Sequence, residues 1–191
     1  DDDFIDDVIH EIAHLVEKTY GALIYVDQKV TREFLGKRQR LFYLLKAEGF
    51  DVAPKDFMET EYSKEFDMYL FQEVGYPLLT QLTMGLFLTP YGVTSLPEYF
   101  AESFEYYFLK DREYVKTLSP ACYKKIEELE FKIDFESFLR TTHFTTLPEN
   151  HKNIYTFDLS KSVFENLQDL NKWTFHHIYF KAEVTDVTTT L

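Results

Sequence analysis

The sequence predicts an α+β fold, a helical part to about residue 130 followed by a strand-rich part. Up to Leu129, apolar residues recur three and four apart, in segments that end on Gly or Pro. After Phe131 the texture changes to short alternating runs rich in Thr, Phe, Tyr and Ile, the pattern of strands. The composition, 45% hydrophobic and 18% aromatic, supports a folded chain with a real core. A length of 191 residues suits one domain, or one domain with an appendage.

The elements follow in order. Asp6 to Tyr20 reads as a helix, with Val8, Ile9, Ile12, Leu15 and Val16 on one face. The aspartates before it suit a helix N-terminus, and Gly21 is the expected stop. Thr31 to Glu48 is a second amphipathic helix ended by Gly49, and its basic run Lys37, Arg38, Arg40 is expected to be solvated. Phe50 to Glu61 reads as irregular around Pro54. Ser63 to Val74 and Pro77 to Leu88 read as helices, the second apolar and buried. Pro90 to Pro97 is a loop. A helix opens at Ser95 or Pro97 and runs to about Leu109. Another begins at Ser119-Pro120, with Pro at its first position, and runs to about Leu129. Strands are expected at Phe131–Phe138, Arg140–Leu147 and Asn153–Leu159, a short helix from Ser160, and one or two strands over Trp173–Val187.

Charge and composition exclude several classes. A net charge of −13 disfavours binding to nucleic acid, whose phosphates need cationic partners. An anionic membrane surface is disfavoured for the same reason. The longest apolar region, Tyr76 to Leu88, is interrupted by polar residues and is too short to span a bilayer. The first residues, Asp1 to Asp3, do not resemble a signal peptide. The single cysteine, Cys122, permits no internal disulfide and no thiolate zinc cluster. It is read as a small buried hydrophobe rather than a reactive thiol.

The sharpest chemical feature is His10-Glu11-Ile12-Ala13-His14. Residues four apart share a helix face, so His10 and His14 can present two imidazoles to one metal. Glu11 is the carboxylate that accepts a proton from the attacking water in a zinc site of this pattern. A third-histidine extension is absent, because position 17 is Glu and position 20 is Tyr. A carboxylate from another helix is therefore expected, and the apolar segment after Tyr91 offers Glu98 and Glu102, one turn apart, with Glu105 a further turn along and offset. Carboxylates in so apolar a helix are costly unless paired or metal-bound.

Together these residues resemble a family. The run Tyr91-Gly92-Val93-Thr94, then Glu98, Tyr99, Phe100, Ala101, Glu102 and Phe104, downstream of H-E-x-x-H, is similar to the anthrax lethal factor-like zinc peptidases, which are gluzincins and include the Pro-Pro endopeptidases. The resemblance covers about Val8 to Gly21 and Tyr91 to Leu129. It implies a zincin-like fold, Zn2+ held by His10, His14 and Glu98, Glu11 as general base, and Tyr91 beside the developing oxyanion. It also implies that Glu102 orients a ligand histidine.

The sequence departs from the family pattern in three ways. Ala13 stands where the family often has Gly. The His14–Glu98 span is longer than usual, so Phe50 to Leu88 contains an insertion. Only nine residues precede His10, so the sheet that zincins place upstream is missing from the chain. A processed N-terminal part is the favoured explanation, with substitution by the strands after Phe131 as the other. The expected organisation is a peptidase domain at 1–130, with the insertion at about 50–88, and a strand-rich extension at 131–191. The face carrying Ile9, Ile12 and Leu15 is expected to be covered by a protein partner, by that missing part or by the later strands.

The function expected is zinc-dependent cleavage of peptide or protein substrates. The alternative is a structural or docking module of a larger assembly, such as a phage virion. Secreted or virion-associated placement is favoured over cytoplasmic. His143 lies in the strand-rich part, and His176-His177 are read as ordinary strand residues facing opposite ways.

Overall fold

The computed structural model describes residues 2–132, with side chains from Asp6 onward, and the backbone of three strands at 142–147, 154–155 and 179–184. Most of the described chain is helical. The helices are α1 (Asp2–Tyr25), α2 (Lys29–Ala47), α3 (Lys64–Tyr69), α4 (Tyr76–Thr83), α5 (Leu96–Leu109), α6 (Arg112–Leu118) and α7 (Pro120–Lys132). Short 3-10 turns lie at Pro54–Phe57 and Tyr91–Val93, and a π-type turn at Leu70–Val74 continues α3. The strands β1 (Thr142–Leu147), β2 (Ile154–Tyr155) and β3 (Tyr179–Val184) form an antiparallel sheet in the order β2-β1-β3. The other strands and the helix expected after Lys132 lie outside the described residues.

The hub is α5. It packs on α1, α2, α6 and α7, and nine of its fourteen residues are buried. Its Tyr99 ring meets Phe34 of α2 at 5.5 Å and Phe87 at 5.9 Å. Rings at such separations, edge-on or tilted, add attraction beyond their buried area. Glu33 of α2 fastens this centre to α7. It accepts the Tyr99 hydroxyl and the Ala121 and Cys122 N–H groups, so it satisfies donors that the N-terminus of α7 leaves free.

The apolar face of α1 is buried within this chain. Val8, Ile12 and Val16 are almost inaccessible, and Ile9 and Leu15 are each only 7% exposed. Among the described elements α5, α2 and β3 pack on α1. No separate partner is needed to cover Ile9, Ile12 and Leu15, which corrects that part of the expectation.

Several boundaries also differ. Gly21 does not end α1, which continues to Tyr25. A methyl at Gly21 meets only the Tyr25 ring, at an ordinary 4.0 Å, so nothing local demands glycine there. Gly49, at φ +91°, does end α2, because a side chain rarely tolerates that backbone conformation. The helix α6, capped by Asp111 accepting from the Tyr114 N–H, was not expected. Phe131 belongs to α7 rather than to a strand. The segment 50–88 is part of the main core through Phe57, Phe66, Leu70, Val74, Leu79 and Phe87, and the Leu96 N–H donates to the Thr60 carbonyl to tie it to the start of α5.

Two of the three cations in the basic run of α2 reverse the expectation, whereas Arg40 is exposed as expected. Lys37 and Arg38 are buried, Arg38 to 1% exposure. Lys37 Nζ donates to the Leu118 carbonyl and Ser119 Oγ at 2.9 and 3.0 Å. Arg38 donates to the carbonyls of Glu59 and Asp56 and lies 4.3 Å from the centre of the Phe66 ring. These contacts replace the water both cations lose on burial. Burial still lowers their proton affinities, Lys37 to about 8 and Arg38 to about 10.

Candidate metal centre

Two helices build the site, and local sequence sets where each presents its groups. On α1, His10 and His14 lie one turn apart beside the buried apolar stripe, half-buried where α1 meets α5. On α5, Ser95 stands in extended backbone and its hydroxyl accepts the Glu98 N–H at 3.3 Å, with Pro97 at the first turn. That cap starts the helix at Leu96 and places Glu98 in its first turn, where the helix dipole favours a negative charge.

One oxygen of Glu98 faces both imidazoles. Glu98 Oε2 is 2.9 Å from His10 Nε2 and 3.5 Å from His14 Nε2. The two rings stand edge to face, 4.9 Å between centres. One ligand atom from each of the three residues falls within 4.8 Å of the other two. A tetrahedral zinc with bonds of ~2.0–2.2 Å separates its ligand atoms by roughly 3.3 Å. The donor set and its spacing therefore fit Zn2+, with two borderline-soft nitrogens and one carboxylate oxygen.

The electrostatics favour a cation at this point. Asp7, Glu11, Glu98, Glu102 and Glu105 line the pocket with His10, His14 and Tyr91. Burial disfavours a charged His10, yet hydrogen bonds and charge from Glu105 and Glu98 raise it to about 10. His14 is raised against burial to about 9 by Glu17 and Glu98. Burial pushes Glu98 up, but the two histidines outweigh it and hold the carboxyl at about 2. The carboxylates thus demand positive charge, which a divalent ion can supply in place of ring protons.

The other imidazole nitrogens also meet carboxylates. His10 Nδ1 lies 3.4 Å from Glu105 Oε2, and His14 Nδ1 lies 3.9 Å from Glu17 Oε2. Lys110 holds Glu105 in turn, Nζ to Oε1 at 2.6 Å, and bridges to Asp6 at 2.9 Å. Such carboxylate–imidazole contacts fix ring orientation in metal sites.

Searches against protein-family models, curated proteins and solved structures found no match to the chain.

The structure brings His10, His14, Glu98, Glu11 and Tyr91 to one pocket. Tyr91 begins a 3-10 turn, its ring centre 6.4 Å from that of His10. Partial burial and the nearby Glu98 charge push its phenol up to about 12, so it stays a hydrogen-bond donor at neutral pH. Glu102 is placed differently from the role the resemblance implied. Glu102 accepts from Thr89, and the contact to His10 belongs to Glu105. Helix geometry gives the reason. At ~100° per residue, seven residues bring Glu105 almost into line with Glu98, whereas four rotate Glu102 about 40° aside. Glu17 and Glu105 were legible in principle, as partners three residues from His14 and seven from Glu98. Cys122 is a buried free thiol whose proton affinity burial raises to about 12, as a small core residue. His176 and His177 lie outside the described residues, as does the side chain of His143.

Glu102 carries a pH dependence. It is buried, its Oε2 has no hydrogen-bond partner, and burial raises its pKa to about 7. A carboxyl with a raised folded pKa stabilises the fold relative to its charged form below its unfolded value, near 4.5, and that advantage is lost as pH rises through about 7. Glu102→Gln removes the titration. Urea unfolding of the metal-free chain is expected to show the variant about 1–3 kcal/mol more stable than the parent at pH 8 and equal to it at pH 4.5. A difference that does not change with pH would contradict this account of Glu102.

Proposed function

We propose that the chain is a zinc-dependent peptidase in which His10, His14 and Glu98 hold the metal. The observation that carries this reading is one Glu98 oxygen set 2.9 and 3.5 Å from the Nε2 atoms of both H-E-x-x-H histidines. When bound, Zn2+ lowers the pKa of a coordinated water toward neutrality and polarises a carbonyl oxygen. Glu11 lies on the same helix turn as His10 and lines the pocket, placed to accept the proton that the attacking water gives up. The proton then passes from Glu11 to the leaving amine. Tyr91 lines the same pocket with a protonated hydroxyl, the donor that would stabilise the carbonyl oxygen as that oxygen gains charge. Glu105 holds the His10 imidazole in orientation, and Glu17 places a negative charge 3.9 Å from His14 Nδ1.

A clean test uses the full chain. Elemental analysis is expected to find one zinc per chain, and a peptide library is expected to be cut. Chelation stops the cutting, and added zinc restores it. A chain that binds zinc stoichiometrically but cuts no peptide would favour the alternative, a zincin-like module serving an assembly.

A further inference from the structure

The turn that carries Tyr91 packs on α5, and a hydrogen-bond chain through Glu102 joins the two. Glu102 Oε1 accepts a hydrogen bond from Thr89 Oγ1. That hydroxyl in turn accepts the backbone N–H of Tyr91 at 3.1 Å. The carbonyl of Tyr91 accepts from Thr94 Oγ1 at 2.8 Å. Two threonines therefore grip both backbone groups of Tyr91, and one of them is itself oriented by Glu102.

The second oxygen of Glu102 faces the same turn. A methyl group at Gly92 would lie 3.2 Å from Glu102 Oε2, tighter than side chains normally pack. Glu102 is 94% buried by its 6% exposure, and its hydrogen bond goes to the turn rather than to a histidine. Solvation cannot account for a carboxylate so enclosed, and its one partner belongs to the Tyr91 turn.

We propose that Glu102, acting through Thr89, is a positioning residue that sets where Tyr91 stands over the site, and that Gly92 is glycine because Glu102 fills the space beside it. The reading of Tyr91 as an active-site donor is the one given above, and this inference rests on it. The chemistry of the relay is specific. A hydroxyl has one proton and two lone pairs. Thr89 spends its proton on Glu102, which turns a lone pair toward the Tyr91 N–H. Remove the acceptor and the hydroxyl rotates freely. Remove the hydroxyl and the N–H loses its anchor. Glu98 and Glu102 are one turn apart on α5, so one rigid helix turn sets the distance between the metal ligand and the turn bearing Tyr91.

The test uses the zinc-loaded full chain with 3-fluorotyrosine at position 91, read by fluorine NMR and by peptide hydrolysis. Thr89→Val keeps volume and removes the relay. It is expected to lower kcat about tenfold to a hundredfold, with KM and zinc content unchanged, and to broaden or split the fluorine line. Glu102→Ala is expected to do the same. Thr89→Ser and Glu102→Gln each keep the required hydroxyl or acceptor oxygen, and each recovers the loss seen in its disruptive partner. In a Tyr91→Phe background, Thr89→Val adds no further loss. A fluorine line left sharp and unshifted by Thr89→Val overturns the proposal. So does a fall in zinc content in Glu102→Ala, which would place Glu102 behind a ligand instead. A parent chain that cuts no peptide refutes the peptidase reading alone, and the fluorine line still decides whether Glu102 places Tyr91.

Discussion

Glu11→Gln is expected to keep the fold and the zinc yet lose peptide hydrolysis by about 10²–10⁴-fold. The substitution changes one property. An amide has almost the volume of the carboxylate but cannot accept the water's proton at neutral pH. Glu11 is half-buried at the pocket wall, and it is not among the three residues grouped as metal donors. Zinc binding should therefore survive, which elemental analysis checks beside the rate. Circular dichroism and thermal unfolding should match the parent. If Glu11→Gln cuts a peptide library at the parent's rate, general-base chemistry at this position is wrong, and the pocket binds metal for another purpose.

Glu98→Ala is expected to abolish stoichiometric zinc binding. Substituting groups behind a metal ligand costs ~10–100-fold in affinity, and removing a ligand itself exceeds that. Glu98 has a second duty that sharpens the effect, since it is the carboxylate shared by both imidazoles. Without it, Glu105 and Glu17 still contact the outer nitrogens, so the rings keep partners while the inner face loses its anion. Competition against a chromophoric chelator measures the loss. Glu105→Ala in the same assay should weaken zinc by the smaller, ~10–100-fold factor. Equal effects of the two substitutions would mean that Glu98 is not a ligand.

The legibility of the site followed the range of its interactions. His10 and His14 are one helix turn apart, so their shared face was readable from spacing alone. The Ser95 cap and Pro97 announced where α5 starts, and with it the position of Glu98 in the first turn. The three-residue difference between the in-line Glu105 and the offset Glu102 was also in the sequence, but only the packing of α5 on α1 turned Glu105 toward His10 and Glu102 toward Thr89.

Elements were read well where local chemistry decides them. Gly49 ends α2 because its positive φ excludes side chains. Gly21 misled, because an interior helix glycine costs only about 1 kcal/mol, which tertiary packing of α1 outweighs. Short α6 carried too few residues for a periodic signal, and its Asp111 cap was the one local clue.

By itself the sequence determined the mostly helical character of the chain to about residue 130, the apolar face of α1, and the pairing of two histidines on one turn, since each depends on contacts within a few residues. Tertiary structure decided the rest. Lys37 reaches carbonyl and hydroxyl groups of Leu118 and Ser119, more than eighty residues on, and Arg38 reaches Asp56 and Glu59. A cation's burial depends on whether such distant acceptors arrive, and no local pattern records their arrival. The same holds for Glu98. Its spacing on α5 was legible, but its approach to both imidazoles exists only because two helices eighty residues apart pack against each other.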